Sequence, residues 1–286
     1  MNILLIGLGS IAKKHIAALR ALNIDFKIYA LRSNKNAEIE EGIKNIYNLD
    51  EANVVFDFAI ISNPTHLHFE YIEKLAQKGI DLFIEKPAIH SLANADKLVG
   101  LIRDAKIKTY VACNMRFHPC IAFLKNKVDT ETLRINEVNV YCGSYLPDWR
   151  PEKDFRTIYS ANASMGGGVH LDLFHELDYT IWLFGLPNES KFVLKSTSSL
   201  NIDSIDYANY VLEYDKFNTS IILNYYRRKP KREIEIVLEH ETWSVDLINN
   251  VINNDNGELM FQVSAFNVKE TYSDQLRYFI NYLKVL

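Results

Sequence analysis

The chain opens with "MNILLIGLGSIAKKH", residues 1–15, in which an apolar run leads directly into a glycine-rich stretch. Gly7, Gly9 and Ala12 of this stretch fit the pattern G-x-G-x-x-G/A. In that pattern the first glycine forms a tight turn, the second lets a pyrophosphate approach the backbone, and the third position keeps the helix close to the sheet. The stretch therefore predicts a strand followed by a helix whose free N–H groups bind the phosphates of a dinucleotide.

A plain turn between a strand and a helix would use the same glycines, so the motif alone is a weak signal. Its position favours the dinucleotide, because the apolar run begins a strand–helix–strand pattern and the glycines open the helix. We expect Ser10 and Ile11, the first residues of that helix, to lie in the site with Gly7, Gly9 and Ala12.

The first part of the chain, residues 1–118, alternates between short apolar runs and amphipathic stretches. The runs predict strands at "NILLIG", "FKIYAL", "FDFAIIS", "DLFIE" and "TYVAC". The amphipathic stretches predict helices at Ser10–Leu22, His66–Lys78 and Leu92–Ala105. This alternation is typical of right-handed crossovers and a parallel sheet, so we predict an α/β fold whose first domain, residues 1–118, is a Rossmann domain.

The pattern changes in the second part of the chain, where apolar and polar residues alternate as in strands with one covered face. The predicted strands are "LRINEVNVYCGSYL", "KFVLKSTSSL", "YANYVLEYD", "TSIILNYYRR" and "REIEIVLEHETWSVDLI". One helix, from about residue 168 to residue 184, interrupts them. A last helix carries four apolar residues on one face: Leu276, Phe279, Ile280 and Leu283. We predict that residues 119–286 form an α+β domain with an open, mostly antiparallel sheet.

The composition limits the possible partners. An apolar fraction of 48%, a charged fraction of 24% and a net charge of −4 over 286 residues are typical of a two-domain globular protein without a nucleic-acid or membrane partner. The start lacks the basic region and cleavage site of a signal peptide, and the three cysteines lack metal-ligand spacing. We therefore expect a cytoplasmic protein with free thiols. The basic stretch "RRKPKRE", residues 227–233, predicts a solvated hairpin turn at Pro230.

The choice of dinucleotide depends on the end of the second strand, "YALRSNKN". NAD sites usually place an acidic residue there to bind the ribose hydroxyls, and this sequence has none between Asp25 and Glu38. Arg32 and Ser33 could instead bind the 2′-phosphate of NADP. We therefore favour NADP over NAD, the alternative being that Arg32 is a solvated surface residue and the cofactor is NAD.

Three further stretches carry a family resemblance. They are "ISNPTHLHFEYIEKLAQKGIDLFIEKP" at residues 61–87, "NMRFHP" at 114–119 and "GGGVHLDLFHELDYTIWLFG" at 166–185. Together with the glycine motif, they resemble the glucose–fructose oxidoreductase/inositol dehydrogenase (Gfo/Idh/MocA) family. The resemblance implies a Rossmann domain followed by an open-sheet domain, and hydride transfer between NAD(P) and sugars, cyclitols or related carbonyl compounds. It also implies a homodimer or homotetramer, formed through the C-terminal sheet.

Hydride transfer to or from an alcohol needs a proton partner and a cation near the developing alkoxide. "EKP" places Glu85 and Lys86 beyond the carboxyl end of a parallel strand, where open α/β sheets bind ligands. The resemblance implies that Lys86 contacts both substrate and cofactor. The alternative is that Glu85 forms a surface ion pair with some other partner and that Lys86 lies in solvent. The resemblance also implies that the segment after the preceding strand lines the nicotinamide half, namely Asn63, Pro64, Thr65 and His66. These residues could equally be a helix entry, capped by Asn63 or Thr65.

His175 is the candidate general acid/base. Asp172, three residues earlier on nearly the same helical face, could orient the imidazole and raise its pKa. Many family members space these two residues four apart, so here Leu171 falls where their aspartate would be. The alternative is a packed histidine at a domain interface. Four residues of this helix have metal-ligand chemistry, but no recognised ligand signature, so we expect no metal: His170, Asp172, His175 and Asp178.

The loop "YLPDWRPEKDFRTIYSANASMGGG", residues 145–168, combines aromatic and cationic residues before that helix. Guanidinium groups suit carboxylates or phosphates, and flat rings suit sugar faces. We predict a negatively charged sugar-like substrate, such as a sugar acid or nucleotide sugar, bound by the following residues: Arg116, Trp149, Arg150, Arg156 and Tyr159. An ordered loop packed on its own aromatic residues is the alternative.

Three functional hypotheses remain open at the level of sequence. The first is an NAD(P)-dependent oxidoreductase that acts on CH–OH groups of sugar-like compounds. The second is a non-catalytic dinucleotide sensor or scaffold, which the shortened Asp172–His175 spacing supports. The third is an oxidoreductase with another substrate, such as an imine or a linear tetrapyrrole.

Overall fold

The computed structural model of the protein describes residues 1–36, 39–89 and 91–284. The chain forms two compact units. The first combines Met1–Asn114 with Asn267–Leu286, and the second is the continuous segment Met115–Phe266.

The elements of the described residues are as follows, in chain order. The first sheet contains β1 (Asn2–Ile6), β2 (Lys27–Leu31), β3 (Ile43–Ile46), β4 (Phe58–Ile61), β5 (Leu82–Ile84) and β6 (Thr109–Val111). The second sheet contains β7 (Ile135–Tyr145), β8 (Glu189–Lys195), β9 (Tyr207–Glu213), β10 (Asn218–Asn224), β11 (Tyr226–Leu238), β12 (Thr242–Asp246), β13 (Val251–Asn254) and β14 (Leu259–Gln262). The helices are α1 (Ser10–Ala21), α2 (His68–Gln77), α3 (Ala95–Ala105), α4 (Pro119–Thr130), α5 (Val169–Asp172), α6 (His175–Phe184) and α7 (Glu270–Lys284). Over the residues described, no helix has the length and apolar character needed to cross a bilayer.

The first sheet has six parallel strands in the order β3-β2-β1-β4-β5-β6, which confirms the predicted Rossmann domain. Its strands are apolar on both faces because helices cover both, and β4 is buried along its whole length. The strand order reverses between β1 and β4, whose carboxyl ends, Ile6 and Ile61, pair in register. Ligands of open α/β sheets bind in the crevice outside such a reversal.

The last helix belongs to the first unit, which corrects the predicted boundary that placed all of residues 119–286 in the second domain. Leu276, Phe279 and Ile280 are buried in the core of the Rossmann sheet. The ring of Phe279 lies 5.3 Å from that of Phe58 and 5.6 Å from that of Phe83, centroid to centroid. The predicted apolar face is therefore correct, but it packs on a core formed by the opposite end of the chain.

The second sheet has eight strands in the order β14-β13-β12-β11-β7-β10-β9-β8. Only the β7–β10 pair is parallel among the strand pairs described, which confirms an open, mostly antiparallel sheet. Alternate residues of the central strands form the core, among them Val138, Val140, Ile221, Ile234 and Ile236. Helices α4 and α6 cover this core face.

The predicted hairpin turn at Pro230 is wrong, because Pro230 lies inside β11. The chain reverses earlier, at Tyr225, between the end of β10 and the start of β11. Proline has no N–H to donate to a ladder, and here the β11–β7 pairing is interrupted between Tyr226 and Lys231. The strand therefore accommodates the proline in an irregular segment.

The predicted helix over residues 168–184 is divided into α5 and α6. Gly168, with φ +142°, precedes the short α5. Leu173 and Phe174 lie between the two helices, so Asp172 ends one helix and His175 begins the next.

Candidate active site

The amino end of α1 lies at the strand reversal of the first sheet. Gly7 has φ +87°, and a Cβ added there would lie 3.1 Å from the backbone N and Cα of Asn63, so the turn needs glycine. Gly9 directly precedes α1, and a Cβ added there would meet no described atom within 4 Å. Ser10 is exposed, Ile11 is half-buried and Ala12 is fully buried.

This amino end is chemically suited to an anion. No side chain caps it, and its first turn contains no acidic residue. The open space in front of Gly9, together with the N–H groups and positive dipole end of the helix, fits the pyrophosphate of a dinucleotide.

The segment after β4 presents a second polar surface beside Gly7. Both the Nδ2 and the Oδ1 of Asn63 are buried without a hydrogen-bond partner among the described residues. Buried amides are normally hydrogen-bonded, so an unpartnered pair at a ligand crevice fits a cofactor contact. Thr65 is half-buried, whereas Pro64 and His66 are exposed.

Of the two histidines in this segment, His68 is the one that lies within hydrogen-bond distance of backbone carbonyl oxygens. It is buried, with Nε2 2.9 Å from the carbonyl oxygen of Asn63 and Nδ1 3.1 Å and 3.2 Å from the carbonyl oxygens of Pro87 and Ala88. Burial lowers the pKa of its imidazole. His68 thus links the segment after β4 to the segment after β5. His68 is also the first residue of α2 and begins the buried face of that helix.

Glu85 and Lys86 directly follow β5. Glu85 is buried and its Oε1 lies 2.5 Å from Nε2 of His15 on α1. Its Oε2 accepts a hydrogen bond from the backbone N–H of Lys86 at 3.2 Å. Glu85 therefore has a partner, His15, as the alternative interpretation expected. The pair is buried rather than on the surface, however, and Lys86 is half-buried rather than in solvent.

The end of β2 contains both predicted phosphate ligands. Arg32 is half-buried and donates to Oδ1 of Asn45 at 3.4 Å, and Ser33 is exposed. Glu38 lies outside the described residues. A different acid, Glu40, forms an ion pair with Lys13 of α1 at 2.9 Å.

In the second unit, Asp172 is held by two tyrosines. Oη of Tyr225 donates to Oδ2 at 2.5 Å, and Oη of Tyr159 donates to Oδ1. Burial, followed by the charge of Asp172, raises the pKa of both hydroxyls, so both stay protonated donors at neutral pH. Tyr225 was not predicted; it occupies the chain reversal that the sequence analysis placed at Pro230.

Three of the predicted substrate residues lie around this carboxylate. The ring of Trp149 meets that of Tyr225 edge-on at 5.4 Å, and its Nε1 donates to Oγ of Ser144. Tyr159 is bonded to Asp172 and remains 41% exposed. Arg150 is exposed, and its charge acts against the raised pKa of Tyr159.

The other two predicted substrate residues have partners elsewhere. Arg156 stacks on Phe155 at 4.4 Å and lies 3.8 Å from Asp154. Arg116 forms a bidentate ion pair with Asp178, with Nε 2.9 Å from Oδ2, and its guanidinium lies over the ring of Trp182.

His175 is half-buried at the first position of α6, and ion pairs fix this end of the helix. The fully buried Glu176 pairs with Nε of Arg232 at 2.6 Å, and Asp178 pairs with Arg116. Arg232 comes from "RRKPKRE", a stretch that the sequence analysis interpreted as a solvated turn. Asp172 ends α5 and His175 begins α6, so the two residues do not share one helical face. That Asp172 orients the imidazole of His175 stays a prediction.

The fold and these two polar surfaces define a class of protein: a Rossmann dinucleotide-binding unit followed by an open-sheet unit. The oxidoreductase family Gfo/Idh/MocA, described by its NAD-binding Rossmann fold, matches residues 1–113. Inositol 2-dehydrogenase from Rhizobium meliloti is 27% identical over 207 residues, which are 70% of this chain and 58% of that protein. UDP-N-acetylglucosamine 3-dehydrogenase from Acidithiobacillus ferrooxidans is 24% identical over 255 residues, 86% of this chain and 74% of that protein.

The structure of the latter enzyme is similar to this one, with a TM-score of 0.80 at 21% identity, over 99% of this chain and 89% of that chain. These findings agree with the resemblance seen in the sequence: residues 1–113 match the Gfo/Idh/MocA oxidoreductases, and dehydrogenases are among the similar proteins. The chain spans less than two thirds of the length of the inositol 2-dehydrogenase that it matches.

Proposed function

We propose that the protein is an NAD(P)-dependent oxidoreductase that transfers a hydride between the nicotinamide and a secondary alcohol or carbonyl of a sugar-like substrate. The observation that carries the proposal is the open, uncapped amino end of α1 behind Gly9, next to the unpartnered amide of Asn63. Both features lie at the strand reversal, where open α/β sheets bind ligands. The family match over residues 1–113 and the dehydrogenases among the relatives support the same activity.

The roles of the residues follow from their chemistry. A bound nicotinamide supplies or accepts the hydride. Lys86 stabilises negative charge on the substrate oxygen, and His175 exchanges the hydroxyl proton as general acid/base. Asp172, which accepts hydrogen bonds from two tyrosines, is a fixed acceptor for substrate or for His175.

For the substrate we propose an anionic sugar, either a sugar acid or a nucleotide sugar. The exposed ring of Trp149, the exposed ring of Tyr159 and the cation of Arg150 support this class, since rings suit sugar faces and guanidinium groups suit carboxylates and phosphates. The relatives include an inositol dehydrogenase and a nucleotide-sugar dehydrogenase. Neutral polyols are therefore the substrates against which anionic sugars should be compared. We also propose that the second sheet mediates a homodimer or homotetramer.

The first experiment is a calorimetric titration with NADPH and NADH, followed by turnover assays on sugar acids, nucleotide sugars and neutral polyols. We expect tight binding of one coenzyme and turnover of at least one anionic sugar. Binding of neither coenzyme would remove the proposal. Binding without turnover on any of the three classes would favour the sensor or scaffold.

For the coenzyme we propose NADP, on the basis of Arg32 and Ser33 at the end of β2. Replacing Arg32 with alanine should weaken NADPH binding about tenfold, the factor that about 1.4 kcal/mol of charge-assisted bonding gives, and leave NADH binding unchanged. Equal weakening of both coenzymes would show that Arg32 supports the fold through Asn45 rather than binding a 2′-phosphate.

A further inference from the structure

We propose that His15 is a positioning residue: through Glu85 it fixes the backbone of Lys86 in the active site. The inference rests on the proposed function, because that function gives Lys86 its role. Neither the glycine motif nor the residues assigned to substrate and cofactor above account for His15.

The contacts form one continuous path. His15 is fully buried on α1, and its Nε2 lies 2.5 Å from Oε1 of Glu85. A carboxylate can only accept, so Nε2 carries the hydrogen of this bond. The second oxygen of the same carboxylate accepts the backbone N–H of Lys86. Glu85 thus joins α1 to the residue that follows it.

The imidazole cannot reorient freely. Its ring meets the ring of Phe83 edge-on at 5.2 Å and that of Tyr272 at 5.7 Å. Burial, followed by the charge of Glu85, raises the pKa of Tyr272 to about 12, which places this residue of α7 near the carboxylate as well. The C-terminal helix therefore covers the His15–Glu85 pair within the first unit.

Stability alone does not explain this pair. Burying two charged or polar partners costs desolvation, and well-packed apolar side chains between Phe83 and Tyr272 would often stabilise a core equally well. The pair instead fixes the position of the Lys86 backbone relative to α1. Helix α1, whose amino end suits the pyrophosphate, also holds the backbone of Lys86, so coenzyme and lysine are placed by one rigid element.

The test compares each coenzyme with ADP-ribose, which has the pyrophosphate but lacks the nicotinamide. In His15→Asn the shorter amide does not reach Glu85, whereas in His15→Gln the amide nitrogen does. Glu85→Gln is a second disruptive variant, because its single amide oxygen cannot accept from both Nε2–H of His15 and the N–H of Lys86. The readouts are calorimetric affinity and the emission spectrum of bound reduced nicotinamide.

We expect His15→Asn and Glu85→Gln to weaken binding of the preferred coenzyme about tenfold and to shift the bound emission. ADP-ribose affinity should change by less than about twofold, and His15→Gln should restore the wild-type values. Phe279→Leu, a change in the same core that leaves the pair intact, controls for loss of stability and should not give this selective effect.

Equal weakening of coenzyme binding and ADP-ribose binding would overturn the inference. So would a selective loss of coenzyme affinity in Phe279→Leu. Unchanged coenzyme affinity in both His15→Asn and Glu85→Gln would overturn it as well. Failure of the wild-type protein to bind either coenzyme would instead overturn the proposed function, and the inference with it. Normal wild-type binding with unaltered variants would remove the role of His15 alone.

Discussion

Among single residues, the two glycines of the opening motif are needed for different reasons. Gly7 adopts a left-handed backbone conformation and lies against the backbone of Asn63, so its requirement is local and structural. Gly9 has an ordinary extended backbone with open space in front of it. We propose that the same residue type serves the fold at Gly7 and a ligand at Gly9.

Substitution by alanine should separate these two roles. Gly9→Ala should change the free energy of unfolding by less than about 1 kcal/mol, because its Cβ points into free space, but weaken coenzyme binding more than about tenfold. Gly7→Ala should destabilise the protein by about 1–3 kcal/mol through backbone strain. Denaturant titration and calorimetry measure the two quantities. A Gly9 variant that binds coenzyme normally would contradict the assignment of the pyrophosphate site.

Some candidate site residues could be proposed from the sequence because a local pattern marks them. Lys86 is part of "EKP", and Gly9 is part of the glycine motif. His68, Tyr225 and Arg232 were missed, because each acts through a partner that the fold brings near from a distant part of the chain. Tyr225 and Asp172, for example, are 53 residues apart and meet only after the chain reverses between β10 and β11.

At the level of elements, the start of α4 depends on a neutral histidine. Nδ1 of His118 accepts the N–H of Cys120, and Nε2 donates to the carbonyl oxygen of Leu247. Protonation of Nδ1 would remove the helix cap. Burial, assisted by the charge of Arg232, lowers the pKa of His118 from 6.5 to about 4.

This cap predicts a pH dependence of stability. Between pH 6.5 and about 4 the unfolded chain binds a proton at residue 118 that the folded chain does not, so stability falls as the pH falls. The loss from this residue should approach about 3 kcal/mol. Urea titrations followed by tryptophan fluorescence measure it, because all three tryptophans lie in the second unit with His118.

The control for this prediction is His118→Asn, which keeps a capping oxygen but does not titrate. Its unfolding free energy should depend less steeply on pH over the same range. Equal slopes in the wild type and His118→Asn would show that other groups determine the acid sensitivity.

The last helix gives a second test at this level. Phe279→Ala should destabilise the first unit by about 3–5 kcal/mol, because it empties a core position among Phe58 and Phe83. Hydrogen exchange should show lost protection in β1 and β5, with β7 and β10 unchanged. Asn281→Ala, at an exposed position of the same helix, is the matched control. Lost protection in β7 and β10 instead would support the domain boundary predicted from the sequence.

Over the whole molecule, the sequence predicted both architectures, because strand periodicity reports whether one face or both faces of a sheet are covered. It did not predict that the first unit is discontinuous. The apolar face of α7 was evident from Leu276, Phe279 and Ile280, but periodicity says nothing about which core such a face packs on. Similarly, Pro230 suggested a turn because composition does not reveal that the β11–β7 ladder is interrupted there.

The final prediction concerns the proposed recognition of an anionic substrate. Arg150 is exposed and its charge acts on the pKa of Tyr159, whereas the guanidinium of Arg156 already stacks on Phe155 near Asp154. Arg150→Ala should therefore raise KM for an anionic sugar about tenfold, equivalent to about 1.4 kcal/mol of charge-assisted binding, with kcat nearly unchanged. Arg156→Ala should have little effect, and neither variant should alter KM for a neutral polyol. Equal effects of both substitutions, or a raised KM for the neutral polyol, would argue against anion recognition by Arg150.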